Sequence, residues 1–211
     1  EGSFAVERFT ETRLAITANG DLIEIPSTVT VVAVSGLSMD LGPVNLVDGS
    51  GMFVFSDAGF AGEASVSVEV PGSTDISFSG TFGLAFNTGE EEVNRSVTVG
   101  GVSTALLLPA AAAGSPYIRV SGTDISLKVL GQSISGNFSL EKNGSEIRGG
   151  MSGVNVFLGT GAGTANEKGL RVSEGRGAVL ITDAGVALQA SGAIALVGIP
   201  NVALKAERMT V

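Results

Sequence analysis

The acidic residues best spaced to hold a cation lie in two matching stretches, V-D-G-S-G-M-F-V-F-S-D-A-G from Val47 to Gly59 and S-E-G-R-G-A-V-L-I-T-D-A-G from Ser173 to Gly185. A calcium loop of the EF-hand type needs oxygen ligands at closely spaced positions folded around one ion. Here Asp48 and Asp57 flank the apolar run Met52-Phe53-Val54-Phe55. If that run is extended, at roughly 3.3 Å per residue, the two carboxylates stand roughly 25 to 30 Å apart and cannot share an ion. The second stretch also puts Glu174 where the first has Asp48, and Arg176 where the first has Ser50, a cation in place of a ligand. The glycines are therefore expected to shape a tight turn into a strand, and Asp-Ala-Gly to close that strand with another turn. If calcium is bound at all, Asp57 and Asp183 are the expected ligands, bridging neighbouring strands.

The absence of His and Cys excludes Ser-His-Asp and Cys-His nucleophile systems and zinc sites built on thiolate or imidazole. Carboxylate chemistry of the glycosidase kind stays open in principle. Glu69 with Asp75 and Asp21 with Glu24 are the nearest pairs, but each sits beside a turn where acidic residues are ordinary. No catalytic residue is assigned, and the chain is read as non-enzymatic. Gly159-Thr160-Gly161-Ala162-Gly163-Thr164 lacks the following helix and the Gly-Lys-Ser/Thr of a phosphate loop, so it is read as a loop between strands. Glu90-Glu91-Glu92 is read as a solvated acidic loop, and the sequons at Asn94, Asn137 and Asn143 as coincidences of composition. No cofactor is implied beyond the calcium just weighed.

A net charge of -9 argues against binding nucleic acid, which relies on clustered Lys and Arg. The longest apolar run, Ala105 to Gly114, is broken by Pro109 and is too short to span a bilayer as a helix. What positions the acidic residues is a set of strands. Ser65-Val66-Ser67-Val68-Glu69-Val70 alternates with period two, and Ile76, Phe78, Phe82, Leu84 and Phe86 share one face with Gly80 among them. Hairpin signals fall at Asn19-Gly20, Gly131-Gln132 and Asn143-Gly144. Helical spacing is sustained nowhere, and Ala110 to Ala113 reads as a loop or a single turn. The phenylalanines are expected on buried faces. The fold class is all-β.

Internal repetition organises the chain. Gly2-Ser3-Phe4-Ala5-Val6-Glu7-Arg8 returns as Gly136-Asn137-Phe138-Ser139-Leu140-Glu141-Lys142, and a shorter Gly80-Thr81-Phe82-Gly83-Leu84 shares the pattern. Ser35 to Gly42 then returns as Ser152 to Gly159, before the acidic stretch and its later version. The drifting offset suits loops of changing length between fixed strands. The expected division is a first repeat over 1–135 and a second, incomplete one over 136–211, a piece of a longer array.

The D-G-x-G strand ending in Ser/Thr-Asp-Ala-Gly, the Val97 to Gly101 stretch V-T-V-G-G and the run Y-I-R-V-S-G-T-D-I-S-L-K-V-L-G-Q-S-I-S-G-N-F together resemble β-rich repeat units, about 130 residues long, of giant bacterial secreted or cell-surface proteins. The resemblance implies an elongated structure, either a β-solenoid or a continuous antiparallel β-meander, with tandem β-sandwiches as the alternative. It implies a structural or adhesive module of a stalk or filament, extracellular or at the cell surface, whose partners are neighbouring repeats or copies of itself. A calcium- or glycan-binding surface module is the alternative function.

Overall fold

The computed structural model describes residues 1–42, 44–70, 76–199 and 205–210. Among them the chain forms β1 (Ser3–Ile16), β2 (Leu22–Asp40), β3 (Asn45–Ser56), β4 (Gly59–Val70), β5 (Ile76–Asn87), β6 (Val93–Val99), β7 (Val102–Leu108), β8 (Tyr117–Val129), β9 (Gln132–Asn143), β10 (Glu146–Thr160), β11 (Lys168–Thr182), β12 (Gly185–Val197) and β13 (Lys205–Thr210), with no helix. Eleven strands make one antiparallel sheet in the order β1-β2-β3-β4-β5-β8-β9-β10-β11-β12-β13. Among the described residues it is an open sheet with two edges, not a closed barrel. The remaining pair, β6 and β7, forms a separate hairpin lying on one face of β1 to β5. The expected boundary between residues 135 and 136 falls inside β9.

The alternation of the strands separates the two faces. On the covered face, Val29, Val31 and Ala33 of β2, Met52 and Val54 of β3, Ala61 of β4, Ala85 of β5 and Tyr117 of β8 meet Val97 and Val99 of β6 and Leu106 and Leu108 of β7. These residues are all buried, and each large apolar side chain so buried contributes about 1.5–3 kcal/mol. Asn87 ties the hairpin to the sheet: its amide donates to the carbonyls of Glu91 (2.8 Å) and Pro109 (2.9 Å), and its Oδ1 accepts from the Gly89 N–H (2.9 Å). Arg95 reaches from β6 to Glu11 of β1 at 2.5 Å and lies over the Phe9 ring, 5.9 Å from its centroid.

The Asp48-Gly49-Ser50-Gly51 stretch is not a turn leading into a strand, as expected, but an irregularity within β3. Register shifts cross the sheet in a band, between Val34 and Leu37, Val47 and Ser50, Gly122 and Ile125, Ser152 and Asn155, and Ser173 and Arg176. Each spans a left-handed residue: Gly36 (φ 62°), Asp48 (54°), Asp124 (52°), Gly153 (59°) or Glu174 (53°). An extra residue in this conformation makes a β-bulge, which bends the strand and raises its twist. Two bulges are held by amides from the neighbouring strand. The Asn137 Oδ1 accepts from the Asp124 N–H at 2.7 Å, and the Asn155 Oδ1 from the Glu174 N–H at 3.3 Å.

The turns also depart from expectation in detail. The β1–β2 connection is a loop over Thr17 to Asp21 rather than a two-residue turn at Asn19-Gly20, closed by Thr17 N–H donating to the Asp21 carbonyl at 2.8 Å. Between β8 and β9 the turn residues are Leu130-Gly131, both left-handed, with Gln132 already in the strand. Between β9 and β10 they are Gly144-Ser145. Asn143 is drawn into β9 instead, where its side chain accepts from the Ala112 N–H and donates to the Ala110 carbonyl.

Candidate functional site

Asp57 and Asp183, expected to close turns and to be ligands only if calcium is bound at all, sit at corresponding places. Asp57 lies in the two-residue β3–β4 turn and accepts from the Ser27 hydroxyl at 3.3 Å; Asp183 lies in the β11–β12 turn and accepts from the Ser145 hydroxyl at 2.9 Å. Neither joins a group of three or more acidic side chains placed to hold a metal, among the described residues. Asp21 lies in the β1–β2 loop and Glu24 in β2, both exposed, and Asp75 lies outside the described residues. A polar cleft of about 370 Å³ opens between hairpin and sheet, and Glu11, Ser27, Asn87, Glu91 and Arg95 are among its lining. Its charged side chains include the Arg95–Glu11 pair that fastens the hairpin. Burial raises the pKa of Tyr117 on the covered face; Arg119 opposes the shift, while Glu141, which accepts from the phenol at 3.2 Å, adds to it.

The feature of functional interest is the opposite face. Here the phenylalanines are not buried as expected: Phe4 is 78% exposed and Phe55 and Phe138 remain substantially exposed, because no second layer covers this side among the described residues. Register places Val34, Phe53, Phe82, Leu84 and Val120 on this face in the first half of the sheet, and Leu140, Met151, Val179 and Leu188 in the second. The face is paved in a regular way, with a large side chain on one strand lying across a glycine on its neighbour. Phe53 lies across Gly62, Ile125 across Gly80, Phe138 across Gly122 and Val179 across Gly149, so a Cβ added at any of these glycines meets the neighbour's side chain. Aromatic or branched groups thereby supply the apolar cover that a glycine lacks. Gly80 and Gly122 each follow a serine, a pairing visible in the sequence, whereas Gly62 and Gly149 do not. That the large residues between them face an uncovered side is not visible there.

The two edges of the sheet are the other unpaired surface. β1 pairs with β2 from Ser3↔Ser35 to Ile16↔Leu22, and among the described residues its other side carries no partner strand. Such an edge presents a row of unpaired N–H and C=O groups. Neither a protein-family model nor a curated protein nor a solved structure matches the chain. What the fold and these surfaces define is a class: an open, antiparallel all-β sheet layered on one side.

Proposed function

We propose that the chain is a non-enzymatic structural repeat module, part of a stalk or filament of a large extracellular bacterial protein, in which one continuous antiparallel meander is extended unit by unit. The observation that carries this reading is that the sheet runs without interruption through the repeat boundary. β9 to β12 restate β1 to β4, and β9 is hydrogen-bonded to β8 of the preceding unit along its length. Separate sandwich domains would each close their own core and be joined by a linker. The array is built instead from local interfaces between successive strands, so its stability accumulates with length. The acidic surface keeps such an assembly soluble, and its partners are neighbouring units or copies of itself. Electron microscopy of a chain carrying several repeats, with and without EDTA, tests this. Rods that survive chelation are expected; globules on flexible tethers overturn the reading, and rods that collapse assign Asp57 and Asp183 to calcium.

A further inference from the structure

The unpaired side of β1 has a counterpart in the same molecule whose partner is visible. β1 and β9 share the Gly-x-Phe-x-apolar-Glu-basic pattern, and they pair with their following strands in the same register. Phe4↔Val34 and Glu7↔Val31 correspond to Phe138↔Met151 and Glu141↔Arg148. The free side of β1 is therefore the side on which β9 carries β8. There Phe138 faces Gly122, Leu140 faces Val120 and Glu141 faces Arg119. The fit is specific to residue type. The Phe138 ring occupies the place that a Cβ on Gly122 would take. Glu141 also accepts from the Tyr117 hydroxyl, two residues before Arg119. At the free edge the same groups lack a partner strand among the described residues, and Phe4 is 78% exposed where Phe138 is 40% exposed.

We infer that β1 is a selective joint that accepts, antiparallel, a strand of pattern Tyr-x-Arg-apolar-Ser-Gly supplied by another unit, with its glycine opposite Phe4, its apolar residue opposite Val6 and its arginine opposite Glu7. Strand addition at a sheet edge draws affinity from main-chain hydrogen bonds and selectivity from alternate side chains. The glycine is what admits Phe4, since any side chain there meets the ring. The arginine sets register, since a slip by one residue puts it on the other face. This inference rests on the repeat reading above and names the partner that the reading leaves open.

The test uses the full chain and a labelled synthetic peptide of residues 117–129 as the probe. Fluorescence anisotropy is expected to show saturable one-to-one binding, absent with a scrambled peptide. An Arg119→Glu peptide, which sets like charges opposite each other at Glu7, is expected to bind about fivefold more weakly, and a Glu7→Arg chain to restore it. A Gly122→Val peptide is expected not to bind. Because the chain has no cysteine, register can be trapped directly. A Val6→Cys chain is expected to form a disulfide with a Val120→Cys peptide and not with a Ser121→Cys peptide, whose thiol is on the opposite face. Binding equal to that of the scrambled peptide, or equal trapping at both positions, overturns the joint. Rods in the microscope without peptide binding would remove this joint and leave the structural module; peptide binding with tethered globules would do the reverse.

Discussion

Tyr117 holds its phenol in the covered core, where burial disfavours the phenolate and Glu141 takes the hydroxyl proton in a hydrogen bond. The folded state thus holds this proton more tightly than the unfolded chain, whose tyrosine ionises near pH 10. The stability it contributes is complete below about pH 10 and is lost as pH rises through the higher folded value. Tyr117→Phe should cost about 1 kcal/mol at neutral pH through the lost hydrogen bond. It should also flatten the alkaline fall in stability, because Tyr117 is the chain's one tyrosine. Urea unfolding of both chains between pH 7 and pH 11 measures the difference. Residues of this kind were only partly legible in the sequence. The separation of Asp48 from Asp57 followed from strand geometry, but Asp48 in a bulge did not. Its left-handed conformation is set by pairing with two neighbouring strands, not by the local Asp-Gly signal that suggested a turn.

Among the elements, β6 and β7 decide how the first half of the sheet is covered. Leu106 is 1% exposed against β1 to β5, and its neighbour Leu107 is 64% exposed on the outer side of the hairpin. Leu106→Ala should therefore destabilise by about 2–5 kcal/mol, and Leu107→Ala by no more than about 0.5 kcal/mol, when unfolding is followed by circular dichroism in urea. Equal costs would mean that the hairpin does not sit on the sheet through this face. The strands were readable from their alternation, as in Ser65 to Val70 and Ile76 to Phe86. That β6 and β7 leave the sheet was not, since V-N-R-S-V-T-V and V-S-T-A-L-L-L alternate like the strands that stay in it. The choice is made by burial of Val97, Val99, Leu106 and Leu108 against β2 and β3, a property of the assembled layers.

At the scale of the molecule, β1 to β5 carry the hairpin as a second layer on one face, and β9 to β12 form a single layer among the described residues. Where β2 buries Val31 beneath the hairpin, β10 has Arg148 at the corresponding position, paired with Glu146 and exposed to water. Opening free energies should follow this division. Native-state hydrogen exchange is expected to show slow amides in β2 to β5 and faster ones in β10 to β12, and uniform protection would contradict it. The recurrence of Gly-x-Phe and Ser/Thr-Asp-Ala-Gly was legible in the sequence. Which face of each copy meets a second layer was not, since alternation marks two faces without saying what covers either.

The strand order has a consequence for how the sheet bears tension. β1 and β13 lie at opposite edges, about 50 Å apart across ten interstrand steps. A pull along that line reaches the hydrogen bonds of each hairpin in sequence rather than all together, so hairpins peel open singly, each releasing stored length at low force. The same sheet pulled along its strands would have to shear whole ladders at once. Under the stalk role proposed above, a sheet loaded across its strands in this way yields gradually and recoils, and the hairpin over β1 to β5 fixes which strands give way last.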